Sequence, residues 1–205
     1  VLNFRWGTGL EFTAANLEKV ELVLHREEFE AWKRLTEPSH IFVMDMGDLF
    51  LEQMPENYIV ECFIAMGEAP QHTYQLLTKR PERMLTFAET HPHLFTPNIW
   101  CGTSVELDLY KPRIDILRKV PCARRFLSCE PLLRGLGKLD LTGIHQVIVG
   151  AESGPDRRPF DPQWAREIRD QCLEQRVAFF FKQNSGLRPG TDPYLDGRKW
   201  EEFPA

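Results

Sequence analysis

Six short apolar runs in this sequence each rise to groups that can do chemistry. Asp45 ends the first, with Asp48 just beyond. Thr78, Lys79 and Arg80 end the second, and Ser104 and Glu106 the third. Ser128, Cys129 and Glu130 end the fourth, Glu152 and Ser153 the fifth, and Lys182 and Gln183 the sixth. Carboxylates beside lysines supply acid–base pairs, and a lysine among apolar residues is a candidate Schiff-base amine. Glu130, Glu152 and Lys182 are therefore the candidate catalytic groups. Lys79 and Arg80 suit the anionic end of a substrate, with Asp45, Thr78 and Gln183 beside them as further substrate contacts. Pro131 restricts the backbone at Glu130.

Other polar groups read more plainly. Cys129 falls on the opposite strand face from Ser128 and Glu130, so it reads as a packing thiol. In "GAESG" (150–154) two glycines flank Glu152 and Ser153. They allow close approach of backbone to a ligand, although the pattern is neither a dinucleotide fingerprint nor a P-loop. His72, His91 and His93 lie near turns without metal-ligand spacing and read as surface histidines. No C-x-x-C pair occurs, so no metal site is assigned.

The elements that position these groups follow from periodicity. "HIFVMD" (40–45), "TYQLLT" (73–78), "NIWCGTS" (98–104), "ARRFLSC" (123–129), "HQVIVG" (145–150) and "VAFFFK" (177–182) read as strands. Between several of them stand helical patterns: 56–69 after Pro55, 81–91 opening on Pro81, 108–120 at least after Pro112, and 161–176. The last has Asp161 as cap and a stripe of Trp164, Ile168, Cys172 and Leu173. Glu18 to Leu35 reads as helical or mixed. The tail from Asn184 reads as an irregular cover anchored by Tyr194 and Trp200. Nearly all-apolar strands alternating with helical returns predict an α/β fold with a parallel sheet buried on both faces. In such folds strand C-terminal ends share one side, as a barrel mouth or at the crevice of a doubly wound open sheet. Polar groups on every strand favour the incomplete (β/α) barrel, with the open doubly wound sheet as the alternative. The whole chain reads as a single domain.

Bulk composition sets limits. The chain has 205 residues, 42% hydrophobic and 27% charged, which suits one globular unit. A net charge of -5 does not favour a nonspecific grip on nucleic acid. No run approaches the ~20 apolar residues of a membrane helix. Five scattered cysteines read as reduced thiols of a cytoplasmic protein rather than a disulfide framework.

Seven blocks carry a resemblance: "IFVMDMGDLF", "APQHTYQLLTKRPERM", "NIWCGTSVE", "RFLSCEPLL", "VIVGAESGP", "FFFKQ" and "LDGRKWEEFP". In order and spacing, from about Gly7 to Pro204, the chain resembles the phage-associated family of unknown function named after phage gene products 37 and 68. The resemblance implies a radical-SAM-like partial barrel. It also implies S-adenosylmethionine and a [4Fe–4S] cluster over the strand ends, with a radical abstracting hydrogen from an unknown substrate. In that picture Ser104, Glu106 and Ser153 face the cofactor. The cluster cysteines of such proteins lie near the N-terminus, whereas here nothing before Cys62 is cysteine, so they map to no position. The start at Val1 is read as a fragment lacking the first strand and cluster loop, and the chain alone is expected to be inactive. Two other readings stand beside this one. The first is a cluster-independent barrel enzyme using lysine and glutamate. The second is a non-catalytic module serving a phage- or defence-system partner.

Overall fold

The computed structural model describes residues 22–44 and 47–204. Asp45 and the expected helical pattern from Glu18 to Glu21 lie outside the described residues. The strands are β1 His40–Val43, β2 Thr73–Thr78, β3 Ile99–Ser104, β4 Arg124–Cys129, β5 Gln146–Gly150 and β6 Ala178–Gln183. The helices are α1 Glu27–Arg34, α2 Glu56–Glu68, α3 Pro81–Thr90, α4 Pro112–Leu117 and α5 Pro162–Gln175.

The helices start where the sequence forbids strand. Proline takes the first turn of α3, α4 and α5, where its missing N–H costs no intrahelical bond. At α5 the Asp161 carboxylate accepts from the Gln163 N–H at 2.9 Å. The buried stripe of α5 is Ala165, Ile168 and Cys172. Trp164 is half-buried and Leu173 stands in solvent, so the expected stripe is shifted at both ends. In α1 three glutamates fill the first turn and Lys33 and Arg34 the last, matching the helix dipole.

All six strands pair in parallel, in sequential order. The order never reverses, so the sheet has no switch point of the doubly wound kind. It curls into a half-barrel. Two contacts measure the curl. Gln75 of β2 and Gln146 of β5 meet at 3.5 Å, although their strands lie three spacings apart, about 14 Å in a flat sheet. Phe203 lies 5.0 Å from the His40 ring on β1 and 5.7 Å from Phe180 on β6. One ring thus touches both edge strands, which a flat sheet would hold about 24 Å apart.

The two-residue period and the register give each face its residues. Val43, Tyr74, Leu76, Ile99, Cys101, Leu127, Cys129, Val147, Val149, Phe179 and Phe181 join the helices in one buried core. The opposite, concave face carries Gln75, Trp100, Gly102, Ser104, Phe126, Ser128, Phe180 and Lys182. Gly102 is required there, because a Cβ would stand 2.4–2.6 Å from three atoms of the Phe126 ring.

The tail is more regular than expected. β7 Tyr194–Leu195 and β8 Arg198–Lys199 form a small hairpin. The chain then runs along β6, with Phe181 N donating to Trp200 O at 2.9 Å and Glu202 N to Phe179 O at 3.2 Å. This covers an open sheet edge. Trp200 is buried and anchors the tail, whereas Tyr194 is half exposed and does not. His72 also departs from its reading as a surface residue. It is buried because its ring Nε2 meets Trp32 O at 3.0 Å, holding α1 to the start of β2. His91 is half-buried and stacks on Phe87, and His93 is exposed. Among the described residues no helix is long and apolar enough to cross a membrane.

Candidate functional site

Parallel pairing gathers the strand C-terminal ends on one rim. On that rim oppositely charged side chains meet from different strands. Lys182 of β6 donates to Glu130, just past β4, at 2.9 Å. The lysine is half exposed and the carboxylate about one-fifth exposed. Glu130 lies against Gly150 at the end of β5, where a Cβ would come 3.1 Å from its Cγ and Cδ. That glycine leaves the space the glutamate side chain fills. Lys79, past β2, pairs with Glu106, past β3. Glu106 is buried, and Arg113 of α4 holds its second oxygen at 3.4 Å and the Ser104 carbonyl at 2.8 Å. Ser104 and Ser128, neighbours in the sheet register, are both buried below the rim.

Glu152 takes a different partner. Its two oxygens accept from Arg158 Nε and Nη2, each at 2.8 Å, and one also accepts from the Arg158 backbone N–H at 2.8 Å. This planar fork holds the Glu152 carboxyl below the usual carboxylate range and raises the arginine, which also feels Glu106. Glu152 thus stays ionised wherever the fork persists. A general-acid role would need that fork to open.

Three expected substrate contacts are engaged in framework bonds. Thr78 turns to the helix side and donates to Asp48 Oδ1 at 2.8 Å. Arg80 gives its Nη1 to Asp48 Oδ2 at 2.9 Å. Asp48 also accepts from the Phe50 and Lys79 N–H groups, so this one carboxylate ties the β1–α2 connection to the end of β2. Gln183 is buried, donating to Ala151 O at 2.7 Å and accepting from Gly190 N at 2.6 Å. Ser153 pairs by backbone with Gly186. The structure therefore brings Lys79, Glu106, Glu130 and Lys182 together as cross-strand pairs on the rim. It leaves Thr78, Arg80 and Gln183 as braces.

Sequence reasoning missed three contributors: Asp48 as the brace of β2, Arg113 beneath Glu106, and Arg158 on Glu152. The pair Arg157–Arg158, following "GAESG" so closely, was a usable signal for the last. Arg113 had none, because only the placement of α4 turns it toward β3.

The cysteines are all buried: Cys101 and Cys129 lie on the helix side of the sheet, Cys62 and Cys172 on helices, and Cys122 before β4. Burial pushes the Cys62 and Cys172 thiols up to about 12 and raises Cys129 further. These are packing thiols, and among the described residues no three His, Cys, Asp or Glu side chains form a metal-binding group.

The chain matches the family described as Protein of unknown function (DUF5131) over residues 5–204. It belongs to that family. Among curated proteins and among solved structures nothing matches. Membership in this family covers the strands, the rim and the tail together, and its description assigns no reaction to them.

Proposed function

We propose that the protein is a half-barrel enzyme domain of radical-SAM-like build whose rim holds the amino-acid end of S-adenosylmethionine beside an organic substrate. The observation that carries this reading is the pairing of Glu130 with Lys182 on the concave side of the sheet, seated against Gly150. An α-amino acid carries one ammonium and one carboxylate. Glu130 and Glu106 are acceptors for the first, and Lys182 and Lys79 are donors to the second. Charge pairs that already face each other are preorganised to exchange partners with a zwitterion at little cost in side-chain ordering. The buried serines Ser104 and Ser128 lie below the rim on the same concave face.

A [4Fe–4S] cluster requires grouped thiolates, and the five cysteines of this chain do not provide them. The residues present do not fit that group, so no step is assigned through it. What the chain supplies is orientation and charge.

The same lysine–carboxylate pair also supports a cluster-independent reading in which Lys182 attacks a carbonyl and Glu130 shuttles the proton. Equilibrium dialysis with S-adenosylmethionine tests the first reading. Saturable binding is expected, weakened about tenfold or more by Glu130→Gln or Lys182→Met. Lys182→Arg keeps the charge but forms no imine, and it should retain most of the binding. Absence of saturable binding, or equal binding by the Met and Gln variants, would overturn the reading.

A further inference from the structure

Beside the rim lies an open cleft of about 640 Å³. Leu107 from the β3–α4 connection forms one wall. Leu133, Arg134 and Gly135 from the β4–β5 connection form another. Arg158, ahead of α5, and Trp164 on α5 line the third side. The walls are fixed by backbone bonds: Leu132 N donates to Gly150 O at 2.9 Å and Leu133 N to Glu106 O at 3.2 Å. The cavity is therefore fastened to the ends of β3 and β5, next to the Glu106 and Glu152 carboxylates.

Its chemistry is uneven in an informative way. Two guanidiniums face it. Arg158 is oriented by Glu152, whereas Arg134 is exposed and, among the described residues, has no carboxylate partner. Interleaved with them are two leucines and an indole: Leu133 adjoins Arg134 on one wall, and Trp164 shares another with Arg158. Gly135 lets the Trp164 ring lie against the loop, since a Cβ there would come 3.2 Å from the indole Cδ1. Phe160 props the same ring edge-on at 6.2 Å, and Phe160 in turn rests on Phe181 of β6. The half-buried indole is packed against the core, and cationic and apolar side chains line the cleft together.

We infer that this cavity binds a free mononucleotide, the base against Trp164 and the leucines and the phosphate between Arg134 and Arg158. Guanidiniums take phosphate oxygens in planar pairs, and an indole stacks on any base. Arg158 is neutralised by Glu152, and the remaining positive charge of Arg134 disfavours the sulfonium of S-adenosylmethionine here, so the site is for a second ligand. The chain's net charge of -5 disfavours a long polynucleotide. The inference rests on the rim being a ligand mouth, because it places the substrate class alongside that mouth.

The test is equilibrium dialysis of the full chain with AMP, adenosine, inorganic phosphate and a 5′-phosphorylated oligonucleotide. Saturable AMP binding is expected, about tenfold or more tighter than adenosine or phosphate alone. Arg134→Gln, on an exposed side chain that leaves the thermal melt unchanged, should weaken AMP about tenfold. Arg158→Gln should weaken it as much, and Arg134→Gln should leave S-adenosylmethionine binding unchanged. No saturable AMP binding, unchanged AMP affinity in Arg134→Gln, or tighter binding of the oligonucleotide than of AMP would overturn the inference. Loss of S-adenosylmethionine binding with AMP binding intact would sink the rim reading instead.

Discussion

Gly102→Ala is expected to destabilise the protein by about 1–3 kcal/mol or more, an effect out of scale for one methyl group. The ring of Phe126 on β4 folds across Gly102 on β3, and three ring atoms would lie 2.4–2.6 Å from the new Cβ. Phe126 is buried and cannot swing into solvent. The methyl group must then push the ring off its rotamer or separate two paired strands. A double-mutant cycle isolates the cause. Phe126→Leu alone should cost stability through lost packing, but it should relieve most of the Gly102→Ala penalty when the two are combined. Urea melts of the four proteins measure this. Additive losses would mean that the glycine is needed for backbone reasons unrelated to the ring.

The second large effect lies on β4 itself, in the stretch "LSCEPLL" (127–133). Leu127 is fully buried in the core between sheet and helices, and Leu127→Ala should cost about 2–5 kcal/mol in transfer and cavity terms. Three residues on, Glu130 faces the rim with a half-exposed lysine as partner. An ion pair so placed contributes about 0–1 kcal/mol, so Glu130→Gln should leave the melt nearly unchanged. Stability and ligand binding therefore separate along one strand. A Glu130→Gln loss as large as that of Leu127→Ala would mark the carboxylate as part of a structural network.

The strands were legible because their runs are largely apolar: in "TYQLLT" Gln75 is the one polar residue between the terminal threonines, and β2 takes those six residues. The parity of side chains was less so. Thr78 ends β2 as an apolar run would, yet its hydroxyl faces Asp48 on the helix side, while Lys79 takes the rim. Polar end residues alternate between site and brace, and only the register assigns them. His72 misled because it stands in a turn between Gln71 and Thr73, where burial depends on α1 arriving from forty residues away. The edge-covering segment of the tail was invisible for the same reason, since its hydrogen bonds are made to β6, whereas the β7–β8 hairpin closes within the tail. Arg113 and Arg158 belong to this class too: each lies close to its carboxylate in sequence, but the loop path decides whether they meet.

Hydrogen exchange with and without saturating S-adenosylmethionine tests whether the strand-end rim is where the ligand sits. Added protection is expected in the segments holding Lys79, Glu106, Glu130 and Lys182, with little change around His40 at the start of β1, the opposite end of the half-barrel. Protection confined to that opposite end, with the rim segments unchanged, would contradict it.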